Sequence, residues 1–125
     1  MNPTVPALQA TFGTAIGRAQ VARDGETVVL VAPNRLLEVL RWLKVTPDQA
    51  YDYLVDVTAV EYRDRERPLE VVYFLRSLAR RTDLRVKVEL DAAAELAVDS
   101  VWGLWRGADW LEREVYDMFG ITFRG

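Results

Sequence analysis

The chain has no cysteine and no histidine in its 125 residues. Without cysteine there is no disulfide, no thiolate nucleophile, and no cysteine-held iron–sulfur cluster or structural zinc. Without histidine there is no imidazole base, no Ser-His-Asp triad and no facial-triad iron site. Carboxylates, tyrosine, lysine and arginine remain. They leave carboxylate-held Mg²⁺ or Ca²⁺ and acid/base pairs as the common active-site designs. A redox role would need its redox centre on another chain. The missing cysteine also removes any reason to invoke an oxidising compartment.

Long apolar runs are absent as well. The longest are about five or six residues, against roughly 20 for a bilayer span. Met1 to Ala15 has neither a basic start nor a continuous apolar stretch, so no signal peptide is expected. These features predict a soluble cytoplasmic chain whose membrane link, if any, comes through a partner. The seven glycines are scattered, and none builds a phosphate-cradling loop.

What is present fits one domain over residues 1–125, long enough to bury about two-thirds of its unfolded surface. The net charge is −3 and unevenly spread. Residues 61–85 hold seven arginines and five acids, whereas residues 86–125 hold four bases and eight acids. That polarity suits docking against another protein better than following a phosphate backbone, so nucleic acid is not an expected partner.

Leu8 and Phe12 predict a short helix from Pro6 to about Thr14. Arg18–Arg23 and Thr27–Ala32 flank Asp24-Gly25, a hairpin turn signal. Pro33-Asn34 opens a helix through Leu36, Leu37, Leu40 and Leu43, and Thr46-Pro47-Asp48 starts a short turn. Tyr51–Tyr62, Leu69–Ser77 and Leu84–Leu90 read as strands, the last alternating with Arg85, Lys87 and Glu89. Ala92 to Val98 reads as linker or helix, and Ser100 as the cap of a turn before Trp105. A helix over 109–119 follows, with Asp109 and Glu112 spaced as a capping box, Leu111, Val115 and Met118 on one face, and Gly120 at its end. The expected fold is a two-layer α+β domain, helices packed on one mixed, mostly antiparallel sheet of about five strands.

The acidic helix is the most loaded segment. Asp109, Arg113 and Asp117 share one column, Glu112 and Tyr116 a second, and Glu114 borders the apolar stripe. These read either as a buried charged network or carboxylate pair, or as a solvated face with i,i+4 ion pairs of about 0.2–0.5 kcal/mol. Trp102, Trp105 and Trp110 beside Arg106 read either as an interface or as core. Asp52 and Asp56 share a strand face about 13 Å apart, too far to hold one metal together, and Asp56 reads as an acceptor with a structural role. The alternating charges of 61–67, with Arg80-Arg81, read as a basic docking site or as a solvated hairpin loop.

Trp110-Leu111-Glu112-Arg113-Glu114-Val115-Tyr116-Asp117-Met118-Phe119-Gly120-Ile121 closely resembles the signature of the 30-kDa (C) subunit of the proton-pumping NADH:quinone oxidoreductase, respiratory complex I. Asp52–Tyr62, Val71–Leu75, Ser100-Val101 and Leu104-Trp105 match further family positions, so the resemblance covers roughly residues 26–125.

The resemblance implies a non-catalytic subunit of the hydrophilic arm, inactive by itself and binding no cofactor. Iron–sulfur clusters and FMN would lie in partner subunits. The expected partners are the 49-kDa (D) subunit and neighbours such as the B and I subunits, at the cytoplasmic side of the membrane. Trp110, Glu112, Arg113, Glu114, Tyr116, Asp117, Phe119 and Gly120 are the motif positions, expected to fix the last helix and face a partner. The family continues beyond this motif with a His-Pro stretch and a wrapping tail, which implies a C-terminally truncated chain. Three other readings stand beside this one. One is the equivalent subunit of a membrane-bound hydrogenase, another is a stand-alone carboxylate enzyme using Glu112, Glu114 or Asp117, and the third is a monomeric ligand-binding module built on the tryptophan cluster.

Overall fold

The computed structural model describes residues 2–62, 69–91 and 96–125. Helix α1 (Thr4–Phe12) is followed by strands β1 (Ile16–Val21) and β2 (Thr27–Val31), then α2 (Leu36–Val45). Strands β3 (Tyr53–Glu61), β4 (Leu69–Ser77) and β5 (Thr82–Leu90) come next. The chain closes with β6 (Ala97–Asp99), α3 (Ala108–Phe119) and β7 (Thr122–Arg124).

The main sheet runs β1-β2-β5-β4-β3, with β2 and β5 parallel and the other pairs antiparallel. This is the expected mixed, mostly antiparallel five-stranded sheet. Its mixed character follows from chain order: α2 carries the chain from β2 to the far edge, and the β3–β4–β5 meander returns to lie beside β2.

Alternation along the strands decides which face is covered. Val71, Tyr73 and Leu75 of β4, with Leu84, Val86 and Val88 of β5, are fully buried against the helices. Leu36, Val39, Leu40 and Leu43 form the apolar stripe of α2 that meets them, while Leu37 is partly buried at its margin. Each such aliphatic side chain contributes about 1.5–3 kcal/mol when fully buried. On the opposite face Phe74 lies between two guanidinium groups, Arg85 at 5.1 Å and Arg76 at 5.9 Å from the ring centroid.

The Asp24-Gly25 turn forms as expected. Gly25 has φ +85°, and its N–H donates to the Ala22 carbonyl at 2.9 Å. Helix α1 begins two residues before Pro6, because its first turn is fastened to the segment that leads into β3. Thr4 is fully buried, with its hydroxyl 2.6 Å from Gln49 Oε1 and 2.9 Å from the Tyr51 hydroxyl. Tyr51 and Asp52 precede β3 instead of opening it: Ala50, with φ +48°, breaks the extension.

Two expectations fail after β5. Ala97 and Val98 are neither linker nor helix, since they pair in parallel with Thr122 and Phe123 in a two-stranded ribbon of β6 and β7. Residues 92–95 lie outside the described part. The capping box at Asp109 and Glu112 also fails. Gly107 is the N-cap residue, no side chain caps the helix, and Glu112 bonds elsewhere.

Candidate functional site

Helix α3 packs along the edge strand β3, and the β6–β7 ribbon closes over its other side. At about 100° per residue the helix presents three faces. Ala108, Glu112 and Val115 turn inward and are buried. Asp109, Arg113 and Tyr116 form one exposed flank, and Trp110, Glu114 and Met118 form the other. Met118 was expected on the buried stripe, but it is 74% exposed, because the stripe is centred one column away on Glu112 and Val115.

Glu112 is the only carboxylate of α3 taken inward, and the solvated-face reading fails for it: the residue is 6% exposed. The Ser100 hydroxyl donates to Oε1 at 2.6 Å, and the Val101 backbone N–H donates to Oε2 at 2.8 Å. Ser100 Oγ also accepts the Trp102 N–H at 3.2 Å, which makes it the expected cap of the turn before Trp105. Glu112 thus ties α3 to the start of the 100–105 turn. Burial pushes the Glu112 carboxyl above its ordinary value. The bonds from Ser100 and Val101 pull against that rise, and the Asp109 charge adds to it.

The other motif residues divide by role. Gly120 ends α3 in the left-handed region, φ +71°, with its N–H donating to the Tyr116 carbonyl at 2.8 Å. Phe119 packs against the core from the last turn of α3. Asp109 and Arg113 form a loose exposed pair at 3.8 Å. Glu114, Tyr116 and Asp117 are exposed.

The tryptophans split in the same way. Trp105 is core, 7% exposed, whereas Trp102 and Trp110 are 53% and 64% exposed and Arg106 is exposed beside them. Ser100, Trp102, Asp109, Glu112, Tyr116 and Phe123 are among the residues that line a groove of about 400 Å³ between α3 and the ribbon.

Tyr73 of β4 is fully buried, its hydroxyl without a hydrogen-bond partner among the described residues. Burial holds this phenol far above its ordinary range, and the Glu112 and Asp99 charges add to the effect. Ser100, Val101 and Tyr73 were not singled out from sequence as site residues. The Glu112 contacts span 11 and 12 residues, a spacing no helix or strand period signals.

This geometry does not gather a carboxylate active site. Glu112 points inward and is buried, while Glu114 and Asp117 leave the outer side of the helix and are exposed. No group of three or more metal-ligating side chains converges among the described residues. Asp52 Oδ1 accepts the Leu78 N–H at 3.2 Å, and Asp56 Oδ1 accepts the Val57 N–H at 2.9 Å beside a bulge in β3. Both roles are structural. Arg80 donates to the Gln49 carbonyl at 2.9 Å and stacks over Tyr51, so it braces the α1 end of the sheet. Of the charged run 61–67, residues 63–67 lie outside the described part.

Residues 29–125 match the family described as respiratory-chain NADH dehydrogenase, 30-kDa subunit. The NADH-quinone oxidoreductase C subunit of Citrifermentans bemidjiense is 42% identical over 98% of this chain and 74% of its own length. Its counterpart from Azorhizobium caulinodans is 39% identical over 100% of this chain and 60% of its own. The chain therefore spans about three-fifths to three-quarters of these two relatives. A C/D subunit of Chromohalobacter salexigens is 38% identical over 99% of this chain and 22% of its own.

Among solved structures, the trypsin-resistant fragment 1–134 of Nqo5 superposes with a TM-score of 0.84 at 26% identity, covering 98% of this chain and 96% of that one. A chain of an archaeal membrane-bound sulfane sulfur reductase shares the fold, with a TM-score of 0.76 at 24% identity over 98% of this chain and 69% of that one.

Proposed function

This chain belongs to the 30-kDa subunit family of the respiratory-chain NADH dehydrogenase, and we propose that it serves as a non-catalytic assembly subunit in the hydrophilic arm of a proton-translocating NADH:quinone oxidoreductase. The observation that carries this reading is the family match over residues 29–125. It takes in the whole of α3, whose motif divides between an inward anchor and two exposed flanks.

The residue inventory supports a role without chemistry of its own. A chain without cysteine or histidine offers no thiolate or imidazole to an iron–sulfur centre. The clusters and FMN of the enzyme belong to partner subunits, and this chain binds none. Its partners are the 49-kDa (D) subunit and neighbours such as the B and I subunits. Support for the 49-kDa partner comes from the Chromohalobacter relative, named as a C/D subunit. No described helix is long and apolar enough to cross a membrane. The chain sits peripherally on the cytoplasmic face and meets the membrane through the assembled complex.

Co-expression with the B, D and I subunits tests this. A complex that co-elutes on size-exclusion chromatography is expected. So is loss of NADH:quinone activity from membranes of a strain lacking the gene, with recovery on complementation. Separate elution from all three partners, or unchanged activity in the deletion strain, would refute the assembly role.

A further inference from the structure

We propose that the groove between α3 and the β6–β7 ribbon seats an arginine side chain of the 49-kDa partner subunit, its guanidinium stacked on Trp102 and Tyr116 and paired with Asp109. This rests on the assembly reading and deepens it by naming the place and the chemistry of one contact.

The first support is where apolar surface is left uncovered. Nine large hydrophobic side chains are exposed among the described residues, and four of them, Trp102, Trp110, Tyr116 and Met118, lie on α3 or the turn before it. Adjacent exposed aromatics mark interaction surfaces, whereas single scattered ones do not; Trp110 and Met118 belong to the opposite flank of α3. Trp102 and Tyr116 line the groove itself.

The second support is charge. Helix α3 carries Asp109, Glu112, Glu114 and Asp117 against one cation, Arg113. Within the groove both Glu112 oxygens are committed to Ser100 and Val101. Asp109 is the carboxylate left available, its side chain 65% exposed and held by Arg113 only at 3.8 Å. Two carboxylates, Asp109 and Glu112, line the groove against one lining cation, Arg113. An incoming cation is the complement of that field.

Arginine fits better than lysine. Its planar guanidinium stacks on an aromatic face while its fork pairs with a carboxylate, and an ammonium cannot do both. A groove with two aromatic side chains and an exposed carboxylate at its side therefore favours arginine, a residue enriched at interface hot spots.

The test measures binding of the chain to the co-expressed 49-kDa subunit by titration calorimetry, at low and at high salt. Asp109→Asn should weaken binding about 10-fold and flatten its salt dependence. Trp102→Ala and Tyr116→Ala should each weaken it about 5- to 30-fold, and Trp102→Phe should recover most of the loss. Val21→Ala, on the opposite edge strand, should bind as wild type. All these side chains are half-exposed or more, so the variants should keep the wild-type unfolding midpoint.

Wild-type binding that survives all three substitutions overturns the groove and leaves the assembly reading standing. So does an Asp109-dependent dimer of this chain, seen by size exclusion, because it would give the groove to a second copy. Absence of any complex between the wild-type chain and the 49-kDa subunit overturns the groove's occupant, and separate elution from the B and I subunits as well overturns the assembly reading.

Discussion

Removing the Glu112 carboxylate tests the account of how α3 is held. Glu112→Ala deletes two hydrogen bonds, at 2.6 Å from Ser100 and 2.8 Å from Val101. Bonds to a charged group contribute about 1.5–3 kcal/mol each, and the Val101 N–H left buried without an acceptor costs about 1–3 kcal/mol. Against these stands the desolvation of a carboxylate in a residue only 6% exposed, which the substitution relieves. The net expectation is a loss of about 2–4 kcal/mol, or a melting temperature lower by about 8–16 °C for a domain of this size.

Thermal denaturation followed by circular dichroism measures this, and Ser100→Ala completes a double-mutant cycle with an expected coupling of about 1 kcal/mol or more. A Glu112→Ala loss under about 0.5 kcal/mol, or strict additivity with Ser100→Ala, would falsify the lock.

The sign of the pH dependence gives a second check on the same residue. Burial raises the Glu112 carboxyl above its ordinary 4.5 in the folded chain. A carboxyl raised on folding contributes stability that is fully present below its unfolded pKa and is lost as pH climbs through the folded one. Wild type should therefore be most favoured over Glu112→Gln in acid, and its advantage should shrink as pH rises above the ordinary 4.5. Urea midpoints across a pH series measure it. An advantage that grows with pH would mean the two hydrogen bonds outweigh burial.

Other substitutions probe separate parts of the argument. Gly120→Ala meets no steric obstacle but must hold φ +71°, so it should cost about 1 kcal/mol, read as a melting temperature lower by about 4 °C. Tyr73→Phe removes a buried hydroxyl without a described partner; unfolding should show no loss and a gain of up to about 1 kcal/mol. Thr4→Val breaks the bonds to Gln49 and Tyr51 in a fully buried site. It should cost about 1–3 kcal/mol, and limited proteolysis should reach α1 before the sheet.

Local signals were legible in the sequence because they act over short spans. Leu84, Val86 and Val88 alternate because β5 has one covered face, and Gly25 and Gly120 mark positions where φ is positive. The succession helix, two strands, helix, three strands, helix could be read for the same reason, whereas the spatial order β1-β2-β5-β4-β3 depends on pairing between distant strands that local pattern does not mark.

What stayed hidden joins distant residues. The β6–β7 ribbon pairs Val98 with Phe123 in parallel, and neither three-residue strand carries enough alternation to announce itself. The Glu112 bond failed to show for a related reason. The spacing of Asp109 and Glu112 satisfies a capping box, but Ser100 and Val101 arrive from outside the helix and compete for the same carboxylate. They prevail because Glu112 is on the inward side of α3, where an acceptor unmatched by a donor is most costly.

One apolar core runs through the sheet, α2 and the inward face of α3, but α3 contributes less of it, and that bears on how a subunit of this kind fails. The sheet and α2 share a continuous apolar core in which Val29, Leu40, Leu43, Val71, Leu75 and Leu84 are fully buried. Helix α3 has a narrower inward face of Ala108, Glu112 and Val115, plus a two-stranded ribbon that is marginal by itself. Ala108 and Val115 join the core, Leu111 and Phe119 pack against it, and the Glu112 carboxylate with its two donors adds the polar tie to the 100–105 turn. Damage to that lock should loosen α3 and disperse Trp102, Asp109 and Tyr116 before the sheet unfolds. Sub-global opening of this kind is measurable by hydrogen exchange, with α3 amides exchanging faster than those of β4 and β5. Assembly should then weaken at temperatures where the core still gives a cooperative melt. Loss of binding at temperatures below an already lowered melt is therefore the expected signature of Ser100 and Glu112 variants, whereas core substitutions such as Leu84→Ala should abolish binding and folding together.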